Sequence, residues 1–211
     1  MRLAIISDTH GLHCRIPAVP DGDVLIHAGD LVRGRSLTEV AEFFQWFQAL
    51  PHEHKIVVAG NHAFAFEQQP MLAEGLVPAG VHYLRDTGLT IDGLKFWGSP
   101  WQPWFLDWAF NLERGAELAA KWAMIPDDTD VLVTHGPPHG ILDLTWDYPN
   151  KHVGCEDLLA RIGQLWQLRL HAFGHIHEAY GQEEHGAVRY VNASICTIEY
   201  LPINAPVVID L

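Results

Sequence analysis

Seven side chains able to bind metal fall in five short blocks of this sequence. Asp8 and His10 lie in Ser-Asp-Thr-His-Gly, and Asp30 closes His-Ala-Gly-Asp. Asn61 stands beside His62 in Ala-Gly-Asn-His, His135 lies in Val-Thr-His-Gly, and His175 and His177 make Gly-His-Ile-His. Carboxylate, imidazole and amide oxygen together are the donors that two adjacent divalent cations require. With 14 histidines in the chain, isolated hits are expected. Five ordered blocks are not, and the order is what lifts Asn61 above a turn residue and His135 above a surface histidine.

Such a centre needs elements that bring distant blocks to one edge. Residues 3–7, 24–28 and 55–59 are short, apolar and branched, each followed by Asp, Gly or Asn, and read as buried strands. Between the last two, Leu37, Val40, Ala41, Phe44, Phe47 and Leu50 recur at helical spacing behind a capping Ser36. This strand–helix–strand rhythm implies parallel strands, whose C-terminal ends are where open α/β sheets hold ligands. Asp8 and His10 are two apart, as are His175 and His177, so an extended chain would aim each pair to one side. Short strands are expected at 82–84, 89–91 and 95–97, the last two joined by a turn at Asp92-Gly93. Helices are expected at 113–124 and 155–165, strands at 131–134, 170–173, 187–192 and 207–211, and a loop at 135–151. The sum is a single mixed α/β (α+β) domain over 1–211, with two sheets face to face and helices outside.

Composition narrows the partners. Hydrophobic residues make up 48% of the 211, which argues for a packed core. Acidic residues outnumber basic ones by 26 to 13, a formal charge of −13. That balance argues against polymeric nucleic acid, which is bound by displacing counterions with Lys and Arg, but not against a small phosphate ester beside bound metals. Cys14, Cys155 and Cys196 form no paired motif and read as inert thiols in a reducing compartment. No signal segment or membrane-length apolar run is visible, so a cytoplasmic location without membrane contact is the expectation. Oligomeric state is not legible.

The ordered blocks, D-x-H, G-D, G-N-H, H and G-H-x-H, resemble the calcineurin-like metallophosphoesterases over essentially the whole chain. Gly-Asp-Val-Leu-Ile-His-Ala-Gly-Asp, Trp-Ala-Phe-Asn-Leu, Thr-His-Gly-Pro-Pro, Val-Gly-Cys-Glu, Phe-Gly-His-Ile-His-Glu and Asn-Ala-Ser are similar, more narrowly, to the vertebrate brain metallophosphoesterase-domain group and its bacterial relatives. The resemblance implies a two-sheet β-sandwich flanked by helices. It implies two ions of the Mn, Fe or Zn class: one held by Asp8, His10, Asp30 and His177, the other by Asn61, His135 and His175, with Asp30 bridging. It further implies hydrolysis of small phosphodiesters, such as cyclic nucleotides or other nucleotide diesters, by a metal-bridging hydroxide. In that scheme His62 is the catalytic imidazole that stabilises phosphoryl oxygens and protonates the leaving alkoxide. The alternatives are a phosphomonoesterase or nucleotidase, and a non-catalytic scaffold on the same fold.

One departure from the pattern bears on His62. Many members carry an acidic residue directly after Gly-Asn-His, where it can orient and charge the imidazole; here Ala63 stands there, and Glu67 is the substitute on offer. His175, missing from some close relatives, is present, so two full metal sites are expected. Candidate substrate contacts are Trp101, Trp104, Asn111, Arg114 and His139. Each has an ordinary reading beside the functional one: a hydrophobic plug for the tryptophans, a helix start for Asn111, a solvated Arg114 and loop packing for His139. His27, on a buried strand, reads as a core histidine.

Overall fold

A computed structural model describes residues 1–146 and 151–211. The chain runs β1 (Arg2–Ile6), β2 (Val24–His27), α1 (Leu37–Ala49), β3 (His54–Val57), α2 (Phe64–Gln68), α3 (Pro70–Glu74), β4 (Val81–Tyr83), β5 (Thr87–Ile91) and β6 (Leu94–Ser99). It continues through β7 (Gln102–Pro103), β8 (Asn111–Leu112), α4 (Ala116–Trp122), β9 (Val131–Thr134), α5 (Glu156–Ile162), β10 (Leu170–Phe173), β11 (Gly181–His185), β12 (Val188–Asn192) and β13 (Val207–Asp210). The loop expected at 135–151 crosses 147–150, which lie outside the described residues.

Two sheets form the body. The first has the order β13-β1-β2-β3-β4 and the second β11-β12-β10-β9-β6-β5. In the first, β1 to β4 are parallel and β13 is antiparallel; in the second, β12, β10, β9 and β6 are parallel and both edge strands are antiparallel. The parallel strands expected from the alternating pattern therefore occur in both sheets. Because strands buried on both faces read as continuous apolar runs, β1 carries Leu3 and Ile5 toward one side and Ala4 and Ile6 toward the other. The inner residues meet Val131, Val133, Leu170, Ala172 and Val191 between the sheets.

Outside the first sheet, α1 packs Val40, Phe43, Phe44 and Phe47 against Ala4, Ile6 and Leu25. Ser36 caps it, its hydroxyl accepting from the Glu39 N–H at 3.3 Å. Outside the second, Leu118 and Trp122 of α4 and Leu158 and Ile162 of α5 cover Leu132, Phe173 and Tyr190. The result is a helix–sheet–sheet–helix sandwich, as expected. The helices at 113–124 and 155–165 are shorter than their apolar periodicity suggests. The first starts only after Gly115, at φ 87°, and the second ends at Gly163. The segment at 64–74, given no element from the sequence, forms α2 and α3, split where Gln69, before Pro70, leaves the helical region at φ −135° and ψ 52°. Among the described residues no helix is long and apolar enough to cross a membrane.

Candidate metal centre and its cleft

Every candidate ligand follows the C-terminal end of a parallel strand. Asp8 and His10 follow β1, Asp30 follows β2, Asn61 and His62 follow β3, His135 follows β9, and His175 and His177 follow β10. The central strands of the two sheets thus empty their loops onto one edge of the sandwich. There the rings of His10 and His177, 167 positions apart in the chain, meet. Ligand atoms of Asp8, His10 and His177 lie within 4.8 Å of one another, as do those of His10, Asp30 and His62 and those of Asp8, Asp30 and His135.

The convergence is not made by extended backbone, as the two-residue spacing suggested. Asp8, His10, Asp30 and His175 sit at φ 53°, 46°, 53° and 69°. Side-chain-bearing residues rarely take this left-handed region, and it costs on the order of 1–3 kcal/mol each. Backbone bonds between the loops hold it in place: Asp8 N–H donates to Gly29 C=O at 2.9 Å, and His10 N–H to Asp30 C=O at 2.8 Å. Gly60 and Gly174 contribute by close approach. A Cβ on Gly60 would lie 2.3 Å from Asp30 Oδ1, and one on Gly174 would lie 2.0 Å from Asp8 Oδ2.

The donor set fits divalent cations. His177 Nδ1 is 2.9 Å from the Thr197 carbonyl, which can only accept, so Nδ1 carries a hydrogen and Nε2 is the atom turned inward. That Nε2 faces His10 Nε2 at 3.1 Å and Asp8 Oδ1 at 3.4 Å. In the same way His135 Nδ1 meets the Ala28 carbonyl at 3.1 Å, which turns Nε2 toward Asn61 Oδ1 at 2.7 Å and Asp30 Oδ2 at 3.4 Å. Acceptor atoms crowded so closely call for a cation between them. Asp8 is fixed further by the Ser194 hydroxyl at 2.8 Å and the His175 N–H at 3.0 Å, and Asp30 by the His62 N–H at 2.8 Å.

Titration agrees with ligand chemistry. Burial would raise the Asp8 and Asp30 carboxyls, yet the surrounding imidazoles hold both well below the usual carboxylate range. Burial pushes His10 down to about 4 and His175 to about 3, leaving them neutral, with a lone pair to give. Burial acts the same way on His177 but is outweighed by its hydrogen bond to Asp8 and the Asp8 charge, which lift it to about 9. Bound metal would displace that proton.

A cleft of about 570 Å³ opens above these groups. Asp30, Asn61, His62, His175 and His177 form its floor, and Trp104, Phe105, Trp108, Ile198 and Tyr200 give it an apolar wall. The His62 ring lies 4.9 Å from that of His10 and 4.8 Å from that of Trp108. Glu67 does not stand in for the acidic residue absent at position 63: its Oε1 accepts from the Phe110 N–H at 2.7 Å.

The five candidate substrate contacts separate. Trp104 lines the cleft and is 55% exposed. Trp101 turns away, donating from Nε1 to Asp86 at 2.8 Å and packing on Phe110. Asn111 lies off the cleft lining and starts no helix; its amide donates to the Phe105 and Leu106 carbonyls at 3.2 and 2.8 Å and so shapes the aromatic loop. Arg114 lines the cleft, but its guanidinium holds the Val153 and Gly154 carbonyls at 2.6 and 2.7 Å and pairs with Glu156. His139 packs on His152 outside the lining. His27 is a core histidine, 2.9 Å from the Thr9 hydroxyl. Sequence reasoning missed Phe105, Tyr200 and His152 as lining residues, because no spacing marks them.

Comparison with known proteins follows the same lines. Residues 1–179 match the calcineurin-like phosphoesterase family. The human metallophosphoesterase domain-containing protein 1 is 45% identical over 234 residues, covering 100% of this chain and 71% of the human one. A Caenorhabditis elegans protein of the UPF0046 group is 36% identical over 228 residues, covering 100% of this chain and 81% of its own. The crystal structure of a Thermus thermophilus protein shares the fold at 14% identity, with a TM-score of 0.60 over 90% of this chain and 88% of that one.

Proposed function

This chain belongs to the calcineurin-like phosphoesterase family, whose members are metal-dependent phosphoester hydrolases, and we propose that it hydrolyses small phosphodiesters, nucleotide diesters among them, at a centre of two divalent ions. The observation that carries this reading is the meeting of seven donor side chains, from five strand ends, at one edge of the sandwich, where Asp30, Asn61, His175 and His177 line a cleft with an aromatic wall.

Asp8, His10, Asp30 and His177 would hold one ion, and Asn61, His135 and His175 the other, with Asp30 shared. Ions of the Mn, Fe or Zn class suit this nitrogen and oxygen set. When bound, they supply an activated water and offset charge on the phosphate. The chain's own residues do the rest. The His62 ring, beside Asp30 and His10 on the floor, presents an N–H to the phosphoryl oxygens. Trp104, Phe105 and Trp108 offer apolar faces to a base or aryl group. In the wall, Arg114 and Lys151 are balanced by Glu156 and Glu178. A rim with no net charge suits a singly charged diester better than a doubly charged monoester.

The test is the purified full chain with Mn(II), assayed on bis(p-nitrophenyl) phosphate and on p-nitrophenyl phosphate. A kcat/KM at least about tenfold higher for the diester, a difference of about 1.4 kcal/mol, is the expected result. A preference for the monoester overturns the diester reading and leaves a phosphomonoesterase.

A further inference from the structure

The cleft wall holds a carboxylate–imidazole pair that the metal centre does not use. Asp143 is buried, and its Oδ2 accepts from the Gly140 and Gly154 N–H groups, both at 2.9 Å. Its Oδ1 lies 2.5 Å from His152 Nδ1. A carboxylate only accepts, so Nδ1 carries the hydrogen, and the ring is fixed in orientation and in tautomer. The His152 side chain is 41% exposed and lines the same cleft as His62, Asp30 and Asn61. Among the described residues its Nε2 has no hydrogen-bond partner. The ring of His139 backs it at 5.3 Å, and His139 in turn faces Glu156, which pairs with Arg114.

The imidazole is not needed to hold the loop. Asp143 Oδ2 already ties Gly140 to Gly154, the Val153 N–H reaches the Asp143 carbonyl at 3.2 Å, and Arg114 clamps the Val153 and Gly154 carbonyls. His62, by contrast, has the weaker claim as an acid. Ala63 follows it, Glu67 is spent on Phe110, and the carboxylate oxygen beside its ring, Asp30 Oδ2 at 4.0 Å, belongs to a candidate metal ligand. Among the described residues Asp143 has no other side chain to serve, and an imidazole whose Nδ1–H a carboxylate holds is fixed in place, as a group that passes a proton to substrate from Nε2 must be.

We propose that His152, positioned by Asp143, is the acid that protonates the leaving-group oxygen; this role rests on the phosphoesterase reading above. As the oxygen of water bonds to phosphorus and the ester P–O bond breaks, the Nε2 proton passes to the departing oxygen, which leaves as an alcohol. The attacking water gives up its proton to solvent and Nε2 regains one from solvent, so the net change is ester plus water to phosphate acid plus alcohol. His62 is then left with the phosphoryl oxygens.

The experiment compares His152→Gln and Asp143→Asn with the wild-type chain, all loaded with Mn(II), on methyl phenyl phosphate and methyl p-nitrophenyl phosphate. Nitrophenolate leaves without help; phenolate needs the proton. His152→Gln is expected to lower kcat about 100-fold on the phenyl ester, the low end for general-acid catalysis, and at least about tenfold less on the nitrophenyl ester. Asp143→Asn should shift selectivity the same way to a smaller degree. Its rearrangement of the loop, should that occur, leaves the His152→Gln result decisive, since that variant keeps every backbone tie. Equal losses on both esters, or an unchanged phenyl ester rate, overturn the proposal. A metal-loaded wild-type chain that hydrolyses neither ester overturns the phosphodiesterase reading on which the proposal rests.

Discussion

Replacing Gly174 by alanine should cripple metal binding while leaving the chain folded. Gly174 has a backbone conformation open to any residue, so the substitution acts through space alone. The added Cβ would lie 2.0 Å from Asp8 Oδ2, 2.2 Å from Ser7 Oγ and 2.7 Å from Ser7 Cβ, where real Cβ atoms keep at least 3.0 Å. The deficit against the Asp8 oxygen is therefore about 1 Å. Asp8 cannot retreat freely: it is buried, and Ser194 and the His175 N–H hold it. Overpacking of this kind costs roughly 1–3 kcal/mol of stability, and a 1 Å misplacement at a tuned site costs about 100-fold in function. Isothermal titration with Mn(II) should show affinity for the site that Asp8 would serve reduced about 100-fold, near 2.7 kcal/mol. Gly136→Ala is the matched control. It too adjoins a ligand, His135, but its Cβ would meet Gln102 Cβ at 3.5 Å and His175 Cδ2 at 3.9 Å, ordinary contacts, so affinity should stay within about threefold. Wild-type affinity in Gly174→Ala, or equal losses in both variants, would refute the argument from close approach.

Two further outcomes follow from the geometry. Asn111→Ala frees the Phe105 and Leu106 carbonyls that shape the aromatic loop; it should raise KM for an aryl diester about tenfold, from two lost hydrogen bonds, with Mn(II) affinity unchanged, and a shift in metal affinity instead would count against it. Metal-free His177 titrates at about 9, so at lower pH the metal must expel its proton; apparent Mn(II) affinity should climb about tenfold per unit from pH 6 to 8, and a flat profile would show that His177 is not a ligand.

Much of this arrangement is legible before any coordinates. The five blocks follow strands because β1, β2, β3, β9 and β10 are short buried apolar runs that must stop where polar donors begin. Periodicity gives α1 and Ser36 its cap. What periodicity cannot give is backbone twist: spacing suggested extended Asp8-Thr9-His10, yet the loop takes left-handed turns fixed by bonds to Gly29 and Asp30 from another strand. The substrate wall was less legible for a related reason. Trp101 and Trp104 stand among the same prolines, and only the tertiary placement of Asp86, which takes the Trp101 N–H, sends one inward and leaves the other facing the cleft. The Asp143–His152 pair is not legible because its partners stand nine positions apart, with no regular spacing to link them, and their types recur throughout the chain.

On the proposed reading seven side chains hold two ions, with Asp30 common to both. Elemental analysis of the purified chain after Mn(II) loading and dialysis tests it directly, run beside Asp30→Ala. Two ions per wild-type chain are expected, with both lost in the variant and hydrolysis lost alongside. One ion or none in the wild type, or two retained without Asp30, would contradict it.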